Sequence, residues 1–354
     1  MNIEDIGYNP FFEASRKKLV LRGLLIARVT SEHRGAYWVR GRDGECLAKI
    51  TGKRMFQASS REDYPAVGDW VAISALPDHR AVIHAILPRQ TIIKRKYNAQ
   101  NETQVIAANV DIAFVVESVD RDYNLNRFER YFAIAKDGGV QPAIILNKVD
   151  LATEDALNEK KEQIKKRFGD IDFILTSTKD GEGLVALREY IEKGKTYCFL
   201  GSSGVGKSSI INALLGGDAI RTGSISAYSG RGQHVTTRRE MYFLENGGMV
   251  IDNPGMREVG VADIDQGIDD LFEEITTLAG DCKYIDCTHA HEPGCAVLAA
   301  LAAGRLDKGR YMNYFNLKKE VEYYKMSKPG KREKERRFGK FIKKAKETFK
   351  KYGK

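Results

Sequence analysis

Gly201, Ser202, Ser203, Gly204, Val205, Gly206, Lys207 and Ser208, with Ser209 following, satisfy G-x-x-x-x-G-K-[ST]. An apolar run, TYCFL, precedes them and a helical pattern follows, the setting in which such a loop binds phosphate. Glycines let backbone N–H groups converge on the phosphates where side chains would collide. Lys207 supplies a point charge to the β- and γ-phosphates, the Ser208 hydroxyl can ligate Mg2+, and the helix N-terminus adds partial positive charge. The loop indicates a nucleoside triphosphate without choosing the base. Asn147-Lys148-Val149-Asp150, after the apolar run PAIIL, makes that choice. A carboxylate at Asp150 can accept from both the ring N–H and the exocyclic amine of guanine. Adenine would present an acceptor where guanine has its N–H, leaving Asp150 unpaired and repelled. Thr176-Ser177-Thr178 ends the run DFIL, where a backbone N–H can meet the base oxygen. Downstream, Asp252-Asn253-Pro254-Gly255 reads as D-x-x-G, with Asp252 reaching Mg2+ through water and the Gly255 N–H sensing the γ-phosphate.

A polar, glycine-rich stretch from Gly217 to Arg239 lies between these two phosphate elements and has the character of a switch loop. Thr236 or Thr237 is its candidate second hydroxyl on Mg2+, and one sequence does not choose between them. The residue after D-x-x-G is Met256, where Ras-like enzymes carry a Gln that orients water. Turnover is therefore expected to be slow until a partner completes or orders the site. His234 can either position the water or simply order the switch. A separate cluster, Cys282-x4-Cys287-x-His289-x5-Cys295, offers three thiolates and an imidazole, the set that closes a tetrahedral structural zinc site. His291 is a rival ligand two residues on.

These groups need a scaffold, and the chain of 354 residues is long enough for two or three cores. From about Leu19 to Arg95, short alternating runs separated by turn residues predict about five strands. GRDGE supplies a hairpin signal between two of them. That pattern fits a small closed barrel of the OB or SH3-like kind, or an open sheet. From about Val105, continuous apolar runs alternate with helical stretches, as in an α/β domain with a mostly parallel sheet. EMYFLENGGMVIDNPG closes it as a hairpin-like pair of strands ending on Asp252. After about Val261 the pattern is helical around the cysteines.

No run approaches the roughly 18–20 apolar residues of a membrane span. The N-terminal stretch lacks the order of a secretory signal, and five cysteines, an odd number, argue against a disulfide framework; both point to the cytoplasm. The net charge of +9 is uneven. Residues 331–354 hold 12 of the 57 Lys and Arg and 3 of the 48 Asp and Glu, leaving 45 of each in the rest. A neutral body thus carries a cationic tail, which is either a solvated extension or a surface for nucleic acid.

In Ras-like GTPases the phosphate loop comes first and N-K-x-D later. Here the order is reversed, which a circular permutation permits because the termini of compact domains lie at the surface. This order, the loop GSSGVGKSS, the turn DNPG, the preceding barrel and the C-x4-C-x-H-x5-C cluster resemble the RsgA/YjeQ family of ribosome small-subunit-dependent GTPases over about residues 20–325. The resemblance implies a multidomain α/β chain in four parts. They are an OB-fold barrel with a short leader (1–98), a circularly permuted P-loop GTPase domain (99–262), a helical zinc-binding domain (263–330) and a basic tail (331–354). It further implies hydrolysis of GTP to GDP in late maturation of the small (30S) ribosomal subunit, contact with its rRNA, and stimulation by it. One structural zinc, Mg2+ with the nucleotide and a monomeric chain complete that expectation. The family's switch usually reads as a histidine and three threonines; here the run is His234-Val235-Thr236-Thr237. Two other readings remain: a P-loop ATPase or kinase in which N-K-x-D is accidental, and a nucleic-acid-binding module for which GTP is only a structural ligand.

Overall fold

The structure, a computed structural model, describes residues 2–21, 23–33, 35–97, 102–120, 123–217, 220, 239–252, 264–326, 330 and 336. His234, Thr236, Thr237, Gly255, Met256 and, apart from Arg336, the basic tail lie outside the described residues.

The chain begins with a short helix, α1 (Pro10–Lys18), capped by the Asn9 side chain accepting from the Phe11 N–H, with proline at its first position. Five strands follow: β1 (Leu25–His33), β2 (Ala36–Gly41), β3 (Gly44–Ile50), then after helix α2 (Gly52–Gln57), β4 (Trp70–Leu76) and β5 (Arg80–Ile86). They pair in the order β1-β2-β3-β5-β4, and β4 returns to β1, closing a five-stranded barrel of the OB kind. The hairpin expected at GRDGE is present. Its two loop residues are Arg42 and Asp43, because Gly41 pairs with Gly44, and Gly44 takes the positive φ (105°) that the turn needs.

Two further strands, β6 (Ile92–Tyr97) and β7 (Glu102–Ala108), form an antiparallel ribbon of their own. The α/β domain then runs β8 (Ile112–Ser118), α3 (Leu125–Asp137), β9 (Gln141–Asn147), α4 (Glu154–Phe168), β10 (Phe173–Thr176), α5 (Leu184–Tyr190), β11 (Thr196–Leu200), α6 (Lys207–Leu215), β12 (Arg239–Phe243) and β13 (Met249–Asp252). Strands β10-β9-β8-β11-β13 are parallel neighbours, and β12 is antiparallel to β13 at the edge. Every residue of β11 and β13 is buried, which explains their apolar, non-alternating sequences. The edge strand β12 also pairs with β1, Ser31 opposite Glu240 and Glu32 opposite Arg239, so barrel and α/β sheet share one continuous ladder.

Arg28 fastens the same junction from within. It is 1% exposed, yet its guanidinium donates to the carbonyls of Gly68, Ile6 and Asn109 and to the Thr196 hydroxyl. Burial pushes its pKa down to about 10, opposed by the charges of Asp111 and Asp69, so it stays cationic at neutral pH.

Helices α7 (Asp265–Leu271), α8 (Glu273–Ala279), α9 (Ala296–Ala302) and α10 (Lys308–Lys325) make up the C-terminal part. They pack on α3 and α4 around the fully buried Glu129, whose carboxylate accepts from Arg167 of α4 (2.7 and 2.9 Å) and from Arg310 and Asn313 of α10. One hydrophobic cluster runs from Trp70 in the barrel through Phe128 and Phe132 to Phe272 and Leu317. Among the described residues no helix is long and apolar enough to cross a membrane.

Candidate nucleotide site and metal cluster

The buried strand β11 delivers the chain to Gly201, and α6 begins at Lys207. Between them Gly201, Gly204 and Gly206 have φ of 142°, 88° and 101°. A Cβ at Gly201 would stand 2.3 Å from the Val116 carbonyl oxygen, and one at Gly206 2.1 Å from the Asn147 amide nitrogen. Glycine is thus required by backbone angle and by space together. Lys207 folds over its own loop, Nζ donating to the carbonyls of Gly201 (2.8 Å) and Ser202 (2.7 Å). Burial pushes its pKa down to about 8, while Asp252 and Glu117 pull the other way. Phosphate oxygens are stronger partners than those carbonyls for a desolvated ammonium.

The segments Asn147 to Asp150 and Thr176 to Thr178, expected to read guanine, come from the neighbouring strands. β8 lies between β9 and β11, so the ends of β9 and β10 stand on the same sheet edge as the phosphate loop. Asn147 is fully buried and spans the two: its Nδ2 donates to the Val205 carbonyl (2.8 Å) and its Oδ1 accepts from the Thr176 hydroxyl (3.0 Å). It braces the loop against the ends of β9 and β10. Lys148 takes a left-handed backbone (φ 61°) and its ammonium meets Asp120 at 3.3 Å. The Ser177 hydroxyl donates to Asp150 Oδ1 (2.9 Å), fixing that carboxylate, and Lys179 lies 3.9 Å from Oδ2. The Ser177 N–H closes its own turn onto the Glu182 carbonyl, and Thr178 beside it is exposed.

Asp252 ends β13, one strand from the loop. It is 1% exposed, and among the described residues neither carboxylate oxygen has a hydrogen-bond partner. Burial raises its pKa to about 6, against the pull of Lys207. A desolvated, unpartnered carboxylate is costly unless something cationic completes it, and its oxygens suit the water shell of Mg2+. The residues present fit that ion.

The second cluster is built around the N-terminus of α9. The ligand atoms of Cys282, Cys287, His289 and Cys295 all lie within 4.8 Å of one another. Cys282 and Cys295 sulfurs are 3.9 Å apart, and His289 Nδ1 is 3.6 and 3.5 Å from them. A tetrahedral ion with metal–sulfur bonds of about 2.3 Å would set such edges near 3.7 Å, so the donor set fits a metal. His289, not His291, belongs to it. Its backbone is left-handed (φ 58°), and Tyr311 of α10 donates to its carbonyl (2.8 Å). The Leu298 N–H donates to the Cys295 sulfur (3.4 Å), helping to hold negative charge there. Glu292 ties the loop by accepting from the N–H groups of Thr288, Ala290 and His291.

Sequence reasoning passed over three residues under the phosphate loop. Glu117, fully buried at the end of β8, accepts from Arg127 of α3 (3.1 Å), and Tyr131 of α3 is hydrogen-bonded to Ser202. A charge inside the apolar run FVVES was the available signal.

Residues 86–262 match the RsgA GTPase family. A small ribosomal subunit biogenesis GTPase RsgA 2 from Lactiplantibacillus plantarum is 41% identical over 303 residues, 85% of this chain and 84% of that protein. The small ribosomal subunit biogenesis GTPase RsgA of Opitutus terrae is 39% identical over 334 residues, 91% and 90% of the two chains. Among solved structures, YjeQ from Thermotoga maritima superposes with a TM-score of 0.62 at 27% identity, covering 84% of this chain and 98% of that one. YloQ, described as a circularly permuted GTPase, gives 0.59 at 25% identity, covering 86% and 98%. With the guanine elements ahead of the phosphate loop in sequence yet beside it on one sheet edge, and with relatives matched over most of their length, the chain belongs to the RsgA GTPase family and is a GTP hydrolase.

Proposed function

We propose that this GTPase binds the small (30S) ribosomal subunit in the cytoplasm, as a monomer, acts in the subunit's late maturation, and is stimulated by it. The observation that carries the reading is the naming of relatives as small ribosomal subunit biogenesis GTPases across 91% of this chain, a span that takes in barrel, α/β domain and metal cluster alike. The division at residues 98, 262 and 330 is part of the same proposal. Met256 in place of a water-orienting Gln supports slow turnover in the free protein. Phosphate release with purified 30S subunits is expected to be faster than without them by about a hundredfold. Equal rates with and without subunits would remove the proposal. Residues 331–354 lie against rRNA in this reading, so deleting them should weaken subunit binding and flatten its salt dependence.

Within the site, the backbone of Gly201–Val205 and Lys207 hold the phosphates, and Asp150, aligned by Ser177, reads the base with the backbone at Thr178. Ser208, Thr236 or Thr237, and Asp252 through water would hold Mg2+, which would supply charge neutralisation to the phosphates. Gly255 senses the γ-phosphate, and His234 orders the switch or positions water.

For the cysteine cluster the proposed ion is one structural zinc, since four protein ligands leave no open position. Metal analysis is expected to find about one equivalent of zinc per chain. Cys287→Ala should lower that content and loosen α8 to α10, whereas a metal-free wild-type chain with an unchanged melting curve would sink the assignment.

A further inference from the structure

Helix α3 is buried on almost every side, and its residues divide between two neighbours. At 100° per residue, Arg127 and Tyr131 share one face while Glu129 and Ala133 point opposite. The first face meets the phosphate loop. Tyr131, 3% exposed, is hydrogen-bonded to Ser202, the loop's second residue, whose carbonyl also takes Lys207. Arg127 holds the buried Glu117, which follows the Val116 carbonyl packed against Gly201. The second face meets the C-terminal helices. Glu129 is gripped by Arg310 and Asn313 of α10, and Gly267 of α7 comes so close that a Cβ there would stand 2.0 Å from the Ala133 carbonyl. Arg130 adds an ion pair with Glu320 of α10.

A buried carboxylate behind a phosphate site repels the ligand unless it is neutralised in place. Arg127 neutralises Glu117, and Tyr131 fixes the residue on which Lys207 rests. Neither can shift without moving α3, and α3 is bolted to α7 and α10. We propose that Arg127 and Tyr131 are positioning residues of the phosphate loop, and that through them α3 transmits the packing of the metal-bearing C-terminal helices to phosphate affinity. The inference rests on placing the nucleotide phosphates on Gly201–Ser208. It adds a route between nucleotide and C-terminal domain that does not pass through the segment after Asp252.

The test is a double-mutant cycle in the full chain, reading affinities for GTP, GDP and XTP. Tyr131→Phe, which keeps the ring, should weaken GTP and GDP by about threefold and leave the preference for guanine over xanthine unchanged. Glu320→Gln, at a partly buried position on α10, should weaken both by a similar factor alone and add nothing in the Tyr131→Phe background. Arg310→Gln serves as a second α10 variant, scored only if its metal content and melting curve match wild type. Multiplying effects of Tyr131→Phe and Glu320→Gln, or no effect of either, overturn the relay. Lys207→Ala distinguishes the two levels. If it too leaves GTP affinity untouched, the placement of the phosphates fails and the relay with it; if it weakens GTP while the cycle is additive, only the relay fails.

Discussion

Lys207→Ala is expected to cut GTP turnover by about a thousandfold while barrel, sheet and metal cluster stay folded. The ammonium is desolvated and held by two carbonyls of its own loop, so it is already stationed where phosphate charge will arrive. Burial has brought its pKa down to about 8, and an anionic ligand would favour the charged form further. Removing it deletes a preorganised cation from a site that keeps two buried carboxylates nearby, Glu117 and Asp252. Arg127 already pairs with Glu117, so the loss is felt at the phosphates as a missing cation. The rest of the chain has no stake in that side chain, because the loop's path is fixed by Gly201 and Gly206 and by Asn147. Phosphate release under saturating GTP, with a melting curve beside it, checks the prediction. Undiminished turnover would exclude this loop from the reaction.

What could be read in the sequence depended on whether the signal was local. The five barrel strands were legible because turn residues separate short runs, and the α/β order because buried parallel strands are continuously apolar. The hairpin at GRDGE was expected from its Asp-Gly pair, yet its loop residues are Arg42 and Asp43, since pairing of Gly41 with Gly44 set the register. The ribbon β6–β7 was not foreseen. Its strand Ile92–Tyr97 reads IIKRKY, which looks like one more barrel strand until Glu102–Ala108 is seen to pair with it. The ladder between β1 and β12 and the Arg28 junction are also invisible in one dimension, because their partners lie between 22 and more than 200 residues apart.

The site divides the same way. Gly201 to Ser208 stood out by their spacing, and Cys282 to Cys295 by residue type and by the resemblance to the RsgA/YjeQ pattern. His289 rather than His291 belongs to the cluster because its Nδ1 lies 3.6 and 3.5 Å from two of the sulfurs. Asn147 was assigned to the nucleotide, and the structure shows what it does between Val205 and Thr176: it ties two turns together. Glu117, Arg127 and Tyr131 went unseen because no motif carries them and each acts through a contact made in three dimensions. Asp252 was placed by D-x-x-G, but its need for a cation became visible only as two buried oxygens without partners among the described residues.

Asp150→Asn is expected to move the XTP-to-GTP affinity ratio by about a thousandfold in favour of xanthine. Guanine offers two donors on the edge that a carboxylate can accept together, and xanthine replaces the amine with a carbonyl. Against Asp150 that carbonyl is a buried repulsion; against an amide it meets an N–H donor. The surroundings favour a clean exchange. The Ser177 hydroxyl donates to Oδ1 at 2.9 Å, and an Asn side chain can keep its oxygen there and turn its NH2 toward the base. Lys179, at 3.9 Å from Oδ2 and exposed, can withdraw from the new donor into solvent. The phosphate loop lies on other strands and keeps its geometry, so binding of the triphosphate should survive and only the base preference invert. A variant that loses GTP without gaining XTP would mean that Asp150 shapes the turn between β9 and α4 rather than reading the base. An unchanged ratio would assign guanine recognition to the backbone beyond Thr176, with Ser177 and Asp150 bonded to each other for structure alone.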